Sequence, residues 1–354
     1  MNIKYIGNFK DGTGWSKACV YNALSLSSSG ENVDCEVIRY NKSDVDINPE
    51  INNLIDNKLD NYDIVINHCL PTEYKWNSSV KNVGFVALET RRLLNKLWIK
   101  KINLMDEIWV PNTQSQECLL NSGVNVPVKI FKHRFDYQSL INNKSTATLK
   151  ELEYSYNFVF VGEFNSRKNI EVGLRAFYNE FESFENVNFL LKLNGNSQHI
   201  ENFIKEVKSK TRKFSTLKNP IIINAYLDYF DLMAIVKKCH SFILPSHGEA
   251  CCYPALESAA LGLNVLYTEG IGIDNYIKGE KAIPIKSNTT KCYGANDAVA
   301  GLYFSDDMWQ DISIDDLSEK MREVVNNNYK NEEDYSIYDY RSLDTKNTVE
   351  EILK

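Results

Sequence analysis

Short apolar runs alternate with amphipathic stretches along this chain, and the alternation runs through twice. The first series is NIKYIG, DCEVIRY (34–40), YDIVINH (62–68), VKNVGFVALE (80–89), DEIWVP (106–111) and VPVKIF (126–131). Helical spacing falls between them, at Ala18 to Leu26, in LLNKLWIKKINLM and in TQSQECLLNSG, where Thr113 is a capping-type residue and Gly123 a stop. Near-continuous apolar runs of this kind fit strands buried on both faces of a parallel sheet. A polar, turn-rich stretch from Gln138 to Tyr154 interrupts the pattern and reads as a linker. The alternation then restarts with NFVFVG, VNFLLKL, PIIINAYL, SFILP and NVLYT, each strand followed or preceded by a helical segment. Two Rossmann-like α/β domains, 1–145 and 146–334, fit this better than one large sheet, because each half carries its own set of buried strands. Helical apolar spacing recurs at Ile314, Leu317, Met321 and Val324, and a tail of about 335–354 is free to fold back on either domain, the first being the one assigned to it.

The chain has 354 residues, which suits two domains better than one core. Charged residues make up 25% and apolar residues 43%, so the composition is globular rather than disordered. A net charge of −7 argues against a broad electrostatic grip on nucleic acid. The N-terminal MNIKYIGNFKDG lacks the basic-then-apolar layout of a secretory signal, and no apolar run reaches the roughly 18 residues of a spanning helix. The expected location is cytoplasmic, with peripheral membrane contact through KLWIKKIN (96–103) as an open alternative to a solvated helix face. The eight cysteines are scattered without a C-x-x-C pair and read as reduced, partly buried thiols.

Ligands of open α/β sheets sit beyond the carboxyl ends of the strands, so the loops there carry the chemistry. With two such sheets facing each other, the ligand is expected in the cleft between the domains. In the first domain, Gly12 and Gly14 precede a helix, where backbone N–H groups can approach a phosphate; a plain turn is the competing reading. In the second, Arg167 and Lys168 follow a strand and stand just ahead of a helix. Cations oppose the dipole at that end, so their presence there points to an anion. The stretch HSFILPSHGEACCYPALESAALG places Glu249 in a loop and Glu257 about one turn into a helix opened by Pro254. A carboxylate in so small and apolar a helix start calls for partners such as ligand hydroxyls.

The segments VFVGEFNSRKNIEVGLRAF and FILPSHGEACCYPALESAALGLNVL, some eighty residues apart, resemble the second domain of retaining glycosyltransferases of the two-Rossmann GT-B architecture, specifically glycosyltransferase family 4. Glu249 and Glu257 match the E-x7-E spacing of that family. GFVALETRRL and LMDEIWVPNTQSQECLLNSGV resemble its first domain more weakly. The resemblance implies a nucleotide-diphosphate sugar donor of UDP or GDP type, used without a metal or other cofactor. By the same resemblance Arg167 and Lys168 hold the diphosphate and stabilise the leaving group. Glu249 contacts donor-sugar hydroxyls beside the N–H groups of Ala250 and Cys251, and Glu257 accepts from the ribose. Gly12 and Gly14 close over the phosphates. The family is often glycine-rich after the first glutamate, where this chain has Ala250, Cys251 and Cys252, so the sugar pocket is a point of departure. Glu89 stands near the place of a family histidine, as a sugar or acceptor contact; a salt bridge with Arg91 or Arg92 is the plainer alternative.

His68, His133 and Arg134 close first-domain strands and are candidates to line the cleft; His247 adjoins Glu249. No H-x-x-H or H-E-x-x-H spacing supports a zinc site, and no G-x-S-x-G elbow supports a hydrolase. The D-x-D at Asp44–Asp46 reads as surface acid. The family's default acceptor is the hydroxyl of a glycan or lipid-linked saccharide. A modified nucleic-acid base is an alternative that the acidic balance does not favour. The rivals are an epimerase- or phosphorylase-like enzyme of the same architecture, without an evident lysine for pyridoxal phosphate, and a non-catalytic scaffold that binds nucleotide sugars.

Overall fold

The computed structural model describes all residues except 46, 212–216, 294, 296–301, 328 and 331–332. The chain divides into two compact units, Met1–Gln138 with Asp334–Lys354, and Ser139–Glu333.

The first unit is built on a six-stranded, all-parallel sheet. Its strands are β1 (Asn2–Gly7), β2 (Asn32–Val37), β3 (Ile64–His68), β4 (Lys81–Phe85), β5 (Glu107–Val110) and β6 (Val128–Ile130), in the order β2-β1-β3-β4-β5-β6. Strands β3 and β5 are buried at every position, as an apolar run covered on both faces requires. The helices are α1 (Gly14–Ser28), α2 (Ile51–Ile55), α3 (Lys96–Ile102) and α4 (Thr113–Leu120). Thr113 is not the cap of α4 but its first residue. Asn112 caps it, its side chain accepting from the Ser115 amide at 2.7 Å.

α5 (Tyr137–Ile141) spans the boundary between the units and leads through a 3-10 turn at Lys150–Leu152 into the second unit's β7 (Tyr156–Glu163), α6 (Ile170–Glu180), β8 (Val187–Asn194), α7 (Ser197–Ser209) and β9 (Ile221–Ile223). The second half of its sheet is made by α8 (Tyr229–Val236), β10 (Ser241–Leu244), α9 (Tyr253–Ala260), β11 (Asn264–Thr268) and β12 (Ala282–Ile285). The sheet is again all-parallel, in the order β12-β11-β10-β7-β8-β9. Chain order therefore reverses between β7 and β10, and the carboxyl ends of strands at such a reversal are where open α/β sheets bind ligands. An antiparallel hairpin, β13 (Ser287–Lys291) with β14 (Met308–Ile312), follows, and α10 (Ile314–Asn326) packs on α6. Phe158, Phe177, Phe189, Leu191, Leu317 and Met321 form the centre of this core.

The last helix, α11 (Leu343–Ile352), returns to the first unit and packs on α1. Arg134 holds it there. Its guanidinium donates to the Ile337 carbonyl at 2.9 Å and to Thr348 Oγ1 at 3.0 Å, and pairs with Asp344 at 2.9 Å. Arg134 is 1% exposed, so it clasps the tail rather than facing a ligand. All eight cysteines are buried free thiols. Among the described residues no helix is long and apolar enough to cross a membrane. Asp44 is exposed and pairs with Arg39 at 3.3 Å, while Asp46 lies outside the described residues.

Candidate functional site

Arg167 and Lys168 belong to a 3-10 turn, Ser166–Lys168, between β7 and α6. Asn165 caps the turn, accepting from the Lys168 amide at 3.1 Å, and Asn169 follows in the left-handed region at φ +49°. The turn meets the loop after β10, on the other side of the chain-order reversal. There both cations converge on one carboxylate. Lys168 Nζ lies 2.6 Å and Arg167 Nη1 3.0 Å from Glu249 Oε1, and Arg167 Nη1 also donates to the Gly248 carbonyl at 2.7 Å.

Glu249 is 4% exposed. Burial alone pushes its carboxyl up, but the charges of Arg167 and Lys168 outweigh that and hold it well below the usual carboxylate range. Two cations against one carboxylate leave the group with net positive charge, the sign that attracts a phosphate. The loop is held by its backbone as well. The His247 amide donates to the Arg167 carbonyl at 2.9 Å, and the Gly272 amide donates to the Glu249 carbonyl at 2.8 Å.

Cys251 and Cys252 are buried, and burial raises both thiols, Cys252 to about 12, so neither is a ready nucleophile. Cys252 adopts φ +61°, a conformation suited to glycine, directly before α9. Ala250 is half-buried between the ion pairs and these thiols. Pro254 sits in the first turn of α9, and Glu257 is buried one turn on, at 2% exposure. Tyr229, the first residue of α8, donates its hydroxyl to Glu257 Oε1 at 3.0 Å. Sequence reasoning missed this partner.

In the first unit, Gly12 has φ +71° and a Cβ there would meet Val45 at 3.2 Å, so the turn needs glycine. Gly14 has open space around it and begins α1, which Thr13 caps by accepting from Ser16 N at 3.1 Å. Glu89 lies half-buried in the loop after β4. His68 and His133 are both buried, their rings parallel at 6.2 Å. His68 Nδ1 is 2.7 Å from the Tyr5 hydroxyl, and His133 Nδ1 is 3.5 Å from Asn22 Oδ1. Burial depresses both imidazoles, His133 to about 3 and His68 with a further contribution from His133. Neutral, buried and hydrogen-bonded, the pair has the character of core histidines. Among the described residues no group of three or more His, Cys, Asp or Glu side chains is placed to hold a metal ion.

Residues 144–299 match the family model for glycosyl transferases group 1. The match covers the whole of the loop constellation around Glu249. Solved structures extend the likeness over the full chain. HepE of Anabaena, solved in complex with UDP-glucose, is 10% identical with a TM-score of 0.64, covering 100% of this chain and 99% of that one. Sucrose-phosphate synthase from Thermosynechococcus elongatus is 11% identical with a TM-score of 0.59, covering 99% and 94%. The trehalose-6-phosphate synthase OtsA is 9% identical with a TM-score of 0.60, covering 99% and 96%. No curated protein sequence matches the chain. At these identities the neighbours establish the fold: two parallel six-stranded sheets with flanking helices, the GT-B α/β fold. Together with the group 1 match they support a glycosyltransferase.

Proposed function

We propose that the chain is a retaining glycosyltransferase of family 4 that moves a sugar from a nucleotide-diphosphate donor to an acceptor hydroxyl. One observation carries this reading: Arg167 and Lys168 meet Glu249 where chain order reverses between β7 and β10. The donor would be a UDP- or GDP-sugar; HepE, of the same fold, was solved with UDP-glucose. Arg167 and Lys168 hold the diphosphate and stabilise the charge that grows on the leaving group. They are already in place through Glu249, so little reorganisation accompanies reaction. Both ion pairs fall on Oε1 of Glu249, and we assign Oε2 to a donor-sugar hydroxyl, beside the amides of Ala250, Cys251 and Cys252. Glu257 accepts from the ribose, its carboxylate oriented by Tyr229. The Gly12–Gly14 turn is a candidate phosphate contact, and Glu89 a candidate sugar or acceptor contact. No metal is assigned a part. The acceptor class is a glycan or lipid-linked saccharide.

The test is a donor panel. UDP-, GDP- and other activated sugars are incubated with the protein, nucleotide release is measured, and the anomeric configuration of the product is read by NMR. Release that disappears in Arg167→Ala and Glu249→Ala, with retained configuration, supports the proposal. Release that survives both changes overturns the site. Nucleotide binding without turnover across donors and acceptors favours the non-catalytic scaffold instead. A cytoplasmic location with peripheral membrane contact belongs to the same proposal. Leu97 is 52% exposed beside exposed Lys96 and Lys100 on α3, and co-sedimentation with anionic vesicles tests it.

A further inference from the structure

The hairpin β13–β14 lies outside the parallel sheet, yet His247 fastens it to the candidate site. Three contacts to Trp309 and Gln310 make the fastening. The Gln310 amide donates to the His247 carbonyl at 2.9 Å. His247 Nδ1 lies 2.7 Å from the Gln310 carbonyl oxygen. The imidazole stacks on Trp309 at 4.4 Å between centroids and 12° between planes, with Trp309 itself 3% exposed. On its other side His247 donates its amide to the Arg167 carbonyl at 2.9 Å, and the next residue, Gly248, accepts the Arg167 guanidinium at 2.7 Å. An unbroken chain of hydrogen bonds thus runs from β14 through His247 to both the backbone and the side chain of Arg167.

The chemistry of this chain fixes the state of the ring. A carbonyl oxygen only accepts, so Nδ1 must carry the proton and donate it to Gln310. Burial disfavours a second proton on the ring and outweighs the pull of the Gln310 carbonyl and of Asp311 Oδ1, 3.7 Å from Nδ1; the nearby Arg167 charge acts in the same direction as burial. The ring is therefore held as the neutral Nδ1–H tautomer, flat against an indole, with its main chain committed on both sides.

We propose that His247 is a positioning residue: it clamps the Arg167 turn to the hairpin and so sets the Arg167 guanidinium for an incoming diphosphate, without touching the donor itself. This rests on the donor-site reading above.

Three variants separate the parts. His247→Phe keeps a flat ring on Trp309 but cannot donate to Gln310. His247→Asn keeps a donor near the Nδ1 position but gives up the stack. Arg167→Ala removes the group being positioned. Binding of UDP and of GDP is measured by calorimetry, KM and kcat for the donor found active are measured, and thermal unfolding is followed for each. His247→Phe is expected to stay folded, unfolding at a somewhat lower temperature because the Gln310 carbonyl loses its donor, and to bind nucleotide about tenfold more weakly. His247→Asn should recover to within about threefold of wild type, because the donor is restored. The loss should fall on KM more than on kcat. Imidazole nitrogen NMR of the wild type should show Nδ1 protonated and Nε2 bare. His247→Phe binding like wild type while Arg167→Ala binds poorly overturns the positioning role alone, as does an Nε2–H tautomer in the spectrum. Arg167→Ala binding like wild type overturns the donor-site reading, and the positioning role with it.

Discussion

With Glu249 buried and both cations on its Oε1 oxygen, replacing it by Gln would leave two positive charges facing each other in a poorly hydrated loop. Breaking a buried pair from one side costs about 3 kcal/mol or more. Glu249→Gln should therefore lower the unfolding free energy by about that much at pH 7, as read from denaturant titration. Inorganic pyrophosphate, which supplies the missing negative charge, should recover part of the loss; no recovery would argue against a diphosphate at this place. The pH dependence follows from the same pair. The native carboxyl lies below its ordinary value of 4.5, so its stabilisation is full above that pH and fades as pH falls through the native value. The Gln variant should lack this acid-side decline. Cys252 poses a different residue-scale problem. Its φ of +61° strains any side chain, and a β-branched one most. Cys252→Gly should stay within about 1 kcal/mol of wild type, relief of strain offsetting the lost thiol, whereas Cys252→Val should lose about 2 kcal/mol or more. Equal losses in thermal unfolding would contradict the strain.

Strands β3 and β6 deliver His68 and, three residues on, His133 to one carboxyl edge of the first sheet, where the elements bury both rings as neutral imidazoles. Each native value lies below the ordinary 6.5, so below that pH the unfolded chain binds protons that the native unit refuses. Stability of the first unit should be full above about pH 6.5 and fall as pH drops, by up to about 1.4 kcal/mol per pH unit for each ring. The double variant His68→Gln, His133→Gln should flatten that slope in equilibrium unfolding measured from pH 7.5 to 5. Most of the parallel strands were legible in the sequence as short, largely apolar runs such as IVINH and NFVFVG, and the loops carrying Arg167, Lys168, Glu249 and Glu257 could be placed from them. The hairpin was not legible. β13 reads SNTTK, half-exposed polar residues without the alternation that marks a strand. β12 carries Pro284, which demotes a run unless it lies at a sheet edge, as β12 does. Nor could the sequence show that Lys168 and Glu249 share an ion pair across 81 positions, or that Tyr229 reaches Glu257 across 28. Such pairings depend on crossover geometry, which residue order does not encode locally.

Taken whole, the molecule invests a fully buried arginine in holding its last helix, and that gives a test of the tail. Arg134→Leu removes the ties to Ile337, Asp344 and Thr348, and Asp344, being 54% exposed, is left hydrated rather than stranded. The expected loss is therefore moderate, about 2 kcal/mol for charged hydrogen bonds. It should appear as faster amide exchange in α11 and α1, with exchange in β7 to β11 unchanged; an equal rise in both units would contradict separate tail docking. The same return of α11 has a consequence for synthesis. The second unit is one continuous stretch, Ser139–Glu333, whereas the first is completed only by Asp334–Lys354. On a ribosome working from the N-terminus, the first unit to begin is the last to finish. Its six strands are all made early, but the flank of α1 stays uncovered while the whole second unit is made and folds. A pause or truncation just after Glu333 would thus leave a finished unit joined to an incomplete one, and the exposed α1 flank is where a chaperone would be expected to bind the nascent chain.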